Sequence, residues 1–129
     1  MKTAAIGIVI KNNEVLLVKR RWHPMVWAPP GGFLDPGETQ VETVLREVWE
    51  ETGVQCKALE KVYDFVYDNG YGKSHIHVYA CEYISGDLQC SFESSEVKWF
   101  PIEHLPHPIS PEKPIFQKAI EILNNKKLA

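Results

Sequence analysis

The chain has 129 residues, 44% of them hydrophobic and 24% charged, the size and balance of one globular domain long enough to bury a core without disulfides or a structural metal. Fourteen Lys and Arg against seventeen Asp and Glu give a formal net charge of −3, the wrong sign for a dedicated binder of duplex nucleic acid, whose affinity comes mainly from neutralised phosphates. Cys56, Cys81 and Cys90 form no CxxC pair and no zinc-finger spacing, which suits thiols acting as small hydrophobes in a reducing compartment.

Met1-Lys2-Thr3 followed by the apolar run Ala4–Ile10 superficially has the look of a signal peptide. The run is broken by Gly7 and ends in Lys11-Asn12-Asn13-Glu14 without a small-residue cleavage site, so it predicts a buried first strand, too short to span a bilayer. The expectation is a cytoplasmic protein with no membrane partner. Asn12-Asn13 is a turn signal leading to a second strand, Glu14–Lys19. Arg20 to Pro30 reads as a loop with room for a short strand, and Pro29 and Pro30 keep the residues before them extended.

The spacing predicts a helix over Gln40–Thr52. Thr39 is an N-cap, Glu42 completes a capping box, and Val41, Val44, Leu45, Val48 and Thr52 recur as a core-facing stripe that Gly53 terminates. Two strands follow, Cys56–Tyr67 and Lys73–Ile84, around the turn Asp68-Asn69-Gly70. After a turn at Ser85-Gly86-Asp87 comes a short strand, Glu96–Phe100. A last helix, from Pro111 to Asn125, sets Ile115, Phe116, Ala119, Ile120 and Leu123 on one face, with Pro111 and Pro114 in its first turn. The absence of repeats, linkers and low-complexity tracts makes residues 1–129 a single α/β domain, a mixed sheet with helices packed on its faces.

The chemistry concentrates between Gly31 and Val54. At about 100° per residue, Glu47, Glu50 and Glu51 fall within one arc of the helix. Carboxylates at i, i+3 and i+4 repel one another, and crowding them beside a buried face calls for a cation. Oxygen ligands select hard ions, Mg²⁺ first and Mn²⁺ or Ca²⁺ as alternatives, and Mg²⁺ completes its shell with water and substrate phosphates. Gly31 and Gly32 let the backbone approach metal or substrate, and a carbonyl there is available as a ligand. The competing reading, a solvated acidic helix face, leaves the glycines, Glu38 and Arg46 unexplained. An EF-hand is excluded because its acids alternate along a loop, and a Walker phosphate loop because no Gly-Lys-Ser/Thr follows the glycines.

Gly32, Glu38, Arg46-Glu47-Val48, Glu50-Glu51 and Gly53-Val54 stand at the spacing of a complete Nudix box, nine positions within 23 residues. The chain thus resembles the Nudix hydrolase superfamily, and more loosely so in the strands before the box and in Trp99 to Pro106. The resemblance implies an α/β/α sandwich and a divalent-metal hydrolase acting on nucleoside triphosphates or on nucleoside diphosphates linked to another moiety. It makes Glu47, Glu50, Glu51 and the Gly31 carbonyl metal ligands, with Mg²⁺ the cofactor and Mn²⁺ a substitute. Glu47 is also a candidate for activating water, Arg46 orients Glu47, Glu38 supports the same network, and Gly32 and Gly53 are conformational. Relatives commonly dimerise, so a homodimer is allowed.

In this family the general base can lie outside the box, which brings in Glu93 and Glu96, with Glu96 slightly favoured over the alternative of surface acids. Arg20 resembles the basic residue that contacts phosphate in relatives, against a snorkelling surface cation. Trp22, Trp27 and Phe33 flank the loop and are candidates for stacking on a base, against core packing. His75 and His77 share a strand face but show no third ligand, and read as packing or pocket-lining residues. Tyr71 stands where dinucleoside polyphosphate hydrolases tend to carry a tyrosine, and it also simply follows a turn.

The leading function is therefore metal-dependent pyrophosphohydrolysis of a small nucleotide. Two alternatives stand beside it: a Nudix-like domain that senses a nucleotide without cleaving it, and an acidic helix that binds only a structural ion. The net charge does not oppose a phosphate substrate. From Asp35 to Glu51 there are six acids and one base, while the rest of the chain carries thirteen bases and eleven acids.

Overall fold

Asn12 and Asn13 both take positive φ, 51° and 62°, as a tight hairpin turn requires. They fold β1 (Lys2–Lys11) back onto β2 (Glu14–Arg20), with Ile10 opposite Val15. The computed structural model describes residues 1–22 and 24–128. Two short strands follow. β3 (Trp27–Ala28), the short strand for which Arg20 to Pro30 has room, pairs with the end of β2, and β4 (Gly31–Phe33) pairs antiparallel with the start of β1. Helix α1 (Gln40–Thr52) leads to the long pair β5 (Gln55–Asp68) and β6 (Lys73–Ser85), then to β7 (Ser94–Pro101) and α2 (Lys113–Leu128).

The sheet runs β3-β2-β1-β6-β5, with β4 added to β1 and β7 to β2. It is mixed, because β6 lies parallel to β1 over Lys2–Ile10 while the other pairs are antiparallel. Strand alternation sends residues to two separate cores. Ala5, Val9, Leu16 and Cys81 meet Val44 and Val48 of α1, while Ile8, Ile10, Val15, Leu17, Val78 and Ala80 meet Phe116, Ala119, Ile120 and Leu123 of α2. Covered on both faces, the central strands read as continuous apolar runs. The result is the expected α/β/α sandwich. Among the described residues no helix is long and apolar enough to cross a membrane.

Helix α1 keeps its predicted limits. Thr39 and Glu42 exchange hydrogen bonds, Glu42 N–H to Thr39 Oγ1 at 3.1 Å and Thr39 N–H to Glu42 Oε1 at 2.9 Å, and Gly53 closes the helix at φ 79°. Its buried face is rotated from the predicted stripe. Val41 and Leu45 are exposed and Thr43 is buried, while Val44, Val48 and Thr52 are buried as expected. A threonine is tolerated there because its hydroxyl is satisfied: Thr43 donates to Glu38 Oε1 at 2.7 Å and Thr52 to the Val48 carbonyl at 2.6 Å. At the other end of the chain α2 starts at Lys113, so Pro111 precedes the helix and Pro114 alone occupies its first turn.

Candidate active site

The last two turns of α1 leave Glu47, Glu50 and Glu51 on the border between buried face and solvent, opposite β4. A backbone donor joins the two elements there. The Gly31 N–H donates to Glu51 Oε2 at 2.7 Å, so a strand edge holds a carboxylate of the last helical turn. Gly32 makes the second close approach: a Cβ at this position would lie 2.8 Å from the Glu47 carboxyl carbon. Only a residue without a side chain lets that carboxylate rest against the strand.

Arg46 organises the acids. It grips Glu38 with two parallel bonds, Nε to Oε2 at 2.7 Å and Nη2 to Oε1 at 2.9 Å, and reaches Glu47 Oε1 with Nη1 at 2.7 Å. Glu50 Oε2 lies 3.3 Å from the same Nη1, and the Phe33 carbonyl accepts from Nη2 at 3.3 Å. Glu38 also accepts from the Asp35 N–H and the Thr43 hydroxyl. One guanidinium thereby fixes the Asp35–Glu38 turn, strand β4 and the helix together.

The electrostatics differ sharply between neighbours. The Arg46 guanidinium, helped by the Asp35 N–H and Thr43, holds the Glu38 carboxyl down at about 2. Burial pushes Glu47 up, against the pull of Arg46. Burial pushes Glu51 up to about 8, with Glu47 and Glu93 adding repulsion and the Gly31 N–H opposing it. Half-buried carboxylates that repel one another, one steered by a backbone N–H and another by an arginine, suit a hard divalent cation, because its charge reverses the penalty each of them carries. The oxygen-only donor set fits Mg²⁺ or Mn²⁺.

These acids line one side of a cleft of about 1150 Å³. Arg20, Gly31, Gly32 and Phe33 line it as well, so the structure brings together the acidic cluster, the glycines and the basic residue at the end of β2. Other expected site residues lie elsewhere. Trp27 is buried in the α2-side core with its ring 4.8 Å from that of Phe100, because β3 pairing turns it inward. Glu96 stands on β7 opposite Lys19, with Lys98 Nζ at 3.9 Å, outside the cleft. Glu93 lies in the segment before β7 and does line it. Glu38 and Arg46 sit behind the cluster, and Gly53 at the helix end. Tyr71 is fully exposed at its turn and away from the cleft.

Of the far wall, the sequence pointed to Trp22 alone. Phe65 and Tyr67 of β5, Ile76 of β6, and Trp22 facing Phe92 at 5.9 Å in an edge-to-face pair all reach it. Arg21 sets this geometry by donating to the Phe92 carbonyl at 2.6 Å and the Ser94 carbonyl at 3.1 Å, which positions the segment carrying Glu93. The exposure of Trp22 and Phe92 marks such a wall only once the fold is known. His75 and His77 lie outside the cleft, and the third ligand-type residue absent from their own strand is Asp64 on β5.

The family model described as NUDIX domain matches residues 1–120. The chain is 36% identical over 107 residues to the ADP-ribose pyrophosphatase of Methanocaldococcus jannaschii, covering 80% of this chain and 63% of that protein. It is 34% identical over 105 residues to the NAD-capped RNA hydrolase NudC of Chromobacterium violaceum, covering 79% of this chain and 39% of that protein. The chain therefore spans less than two thirds of the length of either. Among solved structures, a MutT NUDIX hydrolase from Burkholderia pseudomallei aligns with a TM-score of 0.80 at 24% identity, covering 95% of this chain and 97% of that one. A C. elegans Ap4A hydrolase binary complex aligns with a TM-score of 0.79 at 20% identity, covering 97% of this chain and 99% of that one. At such identities the structural likeness speaks to the fold.

Proposed function

The chain belongs to the NUDIX family, and from that premise we propose that it is a divalent-metal-dependent pyrophosphohydrolase cleaving a nucleoside triphosphate or a nucleoside diphosphate joined to another moiety. The observation that carries the reading is the convergence of Glu47, Glu50 and Glu51 at one side of the cleft, with Gly31 bonded to Glu51 and Arg20 lining the same space. The names of the relatives, an ADP-ribose pyrophosphatase and an NAD-capped RNA hydrolase, support the substrate class.

Glu47, Glu50 and Glu51 would hold Mg²⁺, with the Gly31 carbonyl as a further donor. When bound, the ion neutralises charge on the pyrophosphate oxygens and stabilises the leaving phosphate. Arg20 draws a phosphate into the cleft. Arg46 keeps Glu47 in place through its bond at 2.7 Å. A water held by Glu47 or Glu93 attacks phosphorus in line, gives its proton to that carboxylate, and the P–O bond to the leaving phosphate breaks. Glu93 takes the place of Glu96 in this role because it lines the cleft. Trp22 and Phe92 offer apolar surface for a base, since base–aromatic stacking is worth about 1–3 kcal/mol.

The test is turnover on a panel of nucleoside triphosphates, ADP-ribose, dinucleoside polyphosphates and nucleotide sugars with Mg²⁺ or Mn²⁺, read by the phosphate product formed. Metal-dependent release of a nucleoside monophosphate is the expected result. Tight binding of a nucleotide with no cleavage of any would replace the enzyme by a nucleotide sensor.

A further inference from the structure

Apart from the acidic cluster, the chain carries a group of a different chemistry on the β5–β6 pair. His75 and His77, two residues apart on β6, point to the same face of the sheet. The antiparallel register sets Asp64 directly opposite His77 and one step diagonal to His75. Asp64, His75 and His77 each offer a ligand atom, and these atoms all lie within 4.8 Å of one another. The two imidazole centroids are 4.0 Å apart, and His75 Nε2 is 2.8 Å from Asp64 Oδ1.

We propose that Asp64, His75 and His77 form a second metal site, separate from the Glu47–Glu51 cluster, for a borderline-soft divalent ion of the Zn²⁺ type. Two imidazoles and one carboxylate make three protein ligands, leaving a fourth position of a tetrahedron to water. Nitrogen donors discriminate against Mg²⁺, which the all-oxygen cluster suits. The second, independent observation is His77 itself. It is only 6% exposed, and among the described residues its buried Nδ1 has no hydrogen-bond partner, a condition that native interiors rarely leave without a reason.

The protonation states agree with ligation. Burial, followed by the nearby Lys61 and His75, holds the His77 imidazole below its ordinary value, opposed by Asp64. That direction favours the neutral imidazole, the form that binds metal. Hydrogen bonds from His75 and then Lys61 hold Asp64 below the usual carboxylate range. Lys61 Nζ lies 3.3 Å from Asp64 Oδ2 and leaves Oδ1 to face the histidines, as an outer partner that orients a ligating carboxylate. None of the three residues lines the cleft, whereas their strand neighbours Phe65 and Ile76 do. An ion here would staple the two strands that build the far wall.

The experiment uses the full chain, stripped with a chelator and titrated with Co²⁺ and then Zn²⁺ in a large excess of Mg²⁺, which keeps the acidic cluster occupied. Expected are the intense visible bands of low-coordinate, nitrogen-ligated cobalt, bleached by one equivalent of Zn²⁺. Asp64→Asn and His75→Ala, at positions open enough to spare the fold, should each lose the bands and bind Zn²⁺ at least ~10–100-fold more weakly, the scale seen when metal-site partners are removed. Absence of the bands in the wild type, or unchanged Zn²⁺ affinity in both variants, would overturn the site and leave Asp64–His75 as an ordinary hydrogen bond.

Discussion

Arg46 holds both carboxylate oxygens of Glu38, at 2.7 and 2.9 Å, while the same guanidinium reaches Glu47 at 2.7 Å. Its planar fork makes these bonds at once, a geometry a lysine cannot copy. Arg46→Lys should therefore lower kcat by roughly 10–100-fold, the loss typical of an outer partner of a metal ligand, with the helical circular dichroism unchanged. Steady-state kinetics check this, and full activity in the lysine variant would remove Arg46 from the positioning of Glu47.

Gly32→Ala tests the close approach directly. The added methyl would stand 2.8 Å from the Glu47 carboxyl carbon, so either the strand or the carboxylate must move. A misplacement of about 1 Å at a catalytic group costs about 100-fold in rate. The expected signature is a large fall in kcat with a small change in Tm, since the neighbour that yields is one side chain.

Glu38 predicts a pH dependence of stability. Its carboxyl is held at about 2 in the folded chain against an ordinary 4.5. A depressed acid stabilises the fold fully above the ordinary value, and that contribution is lost as pH falls through the folded one. The Tm gap between wild type and Glu38→Gln should thus be constant at neutral pH, narrow between about 4.5 and about 2, and close below that. Melting curves across this range decide it, and a gap that persists to the lowest pH contradicts the ion pair as its source.

The tryptophans separate core from cleft. Trp27→Ala should destabilise by about 3–5 kcal/mol, as for other buried aromatics, with KM unchanged in the folded fraction. Trp22→Ala should leave Tm nearly constant and raise KM by roughly 5–150-fold if its ring carries a base at about 1–3 kcal/mol. Denaturant melts and kinetics on the same two variants distinguish these outcomes.

The contrast between the two tryptophans also marks where the sequence was readable. The limits of α1, its capping box and the arc of Glu47, Glu50 and Glu51 follow from helical periodicity within one segment, so they were legible residue by residue. So were the asparagine turn and the apolar run of β1. Trp27, Glu96 and Glu93 depend instead on how β2 pairs with β3 and β7, including a register shift between Lys19 and Arg20. The approach of Asp64 to His75 depends on bulges in β5 between Ala58 and Tyr63. Local sequence does not encode such long-range registers. The exposed Val41 and Leu45 show a further limit: a buried threonine with a bonded hydroxyl substitutes for an apolar residue, and hydrophobicity alone misplaces the face by a fraction of a turn.

The most direct measurement of the central claim is turnover of Glu50→Gln at saturating Mg²⁺ on the best substrate of the panel, alongside its melting curve. Glu50 is half-exposed, and among the described residues its one hydrogen-bonding partner is Arg46 at 3.3 Å, so the fold should survive the change. A rate reduced by more than about 100-fold with Tm retained is the predicted result. Undiminished turnover would contradict the acidic cluster as the seat of catalysis.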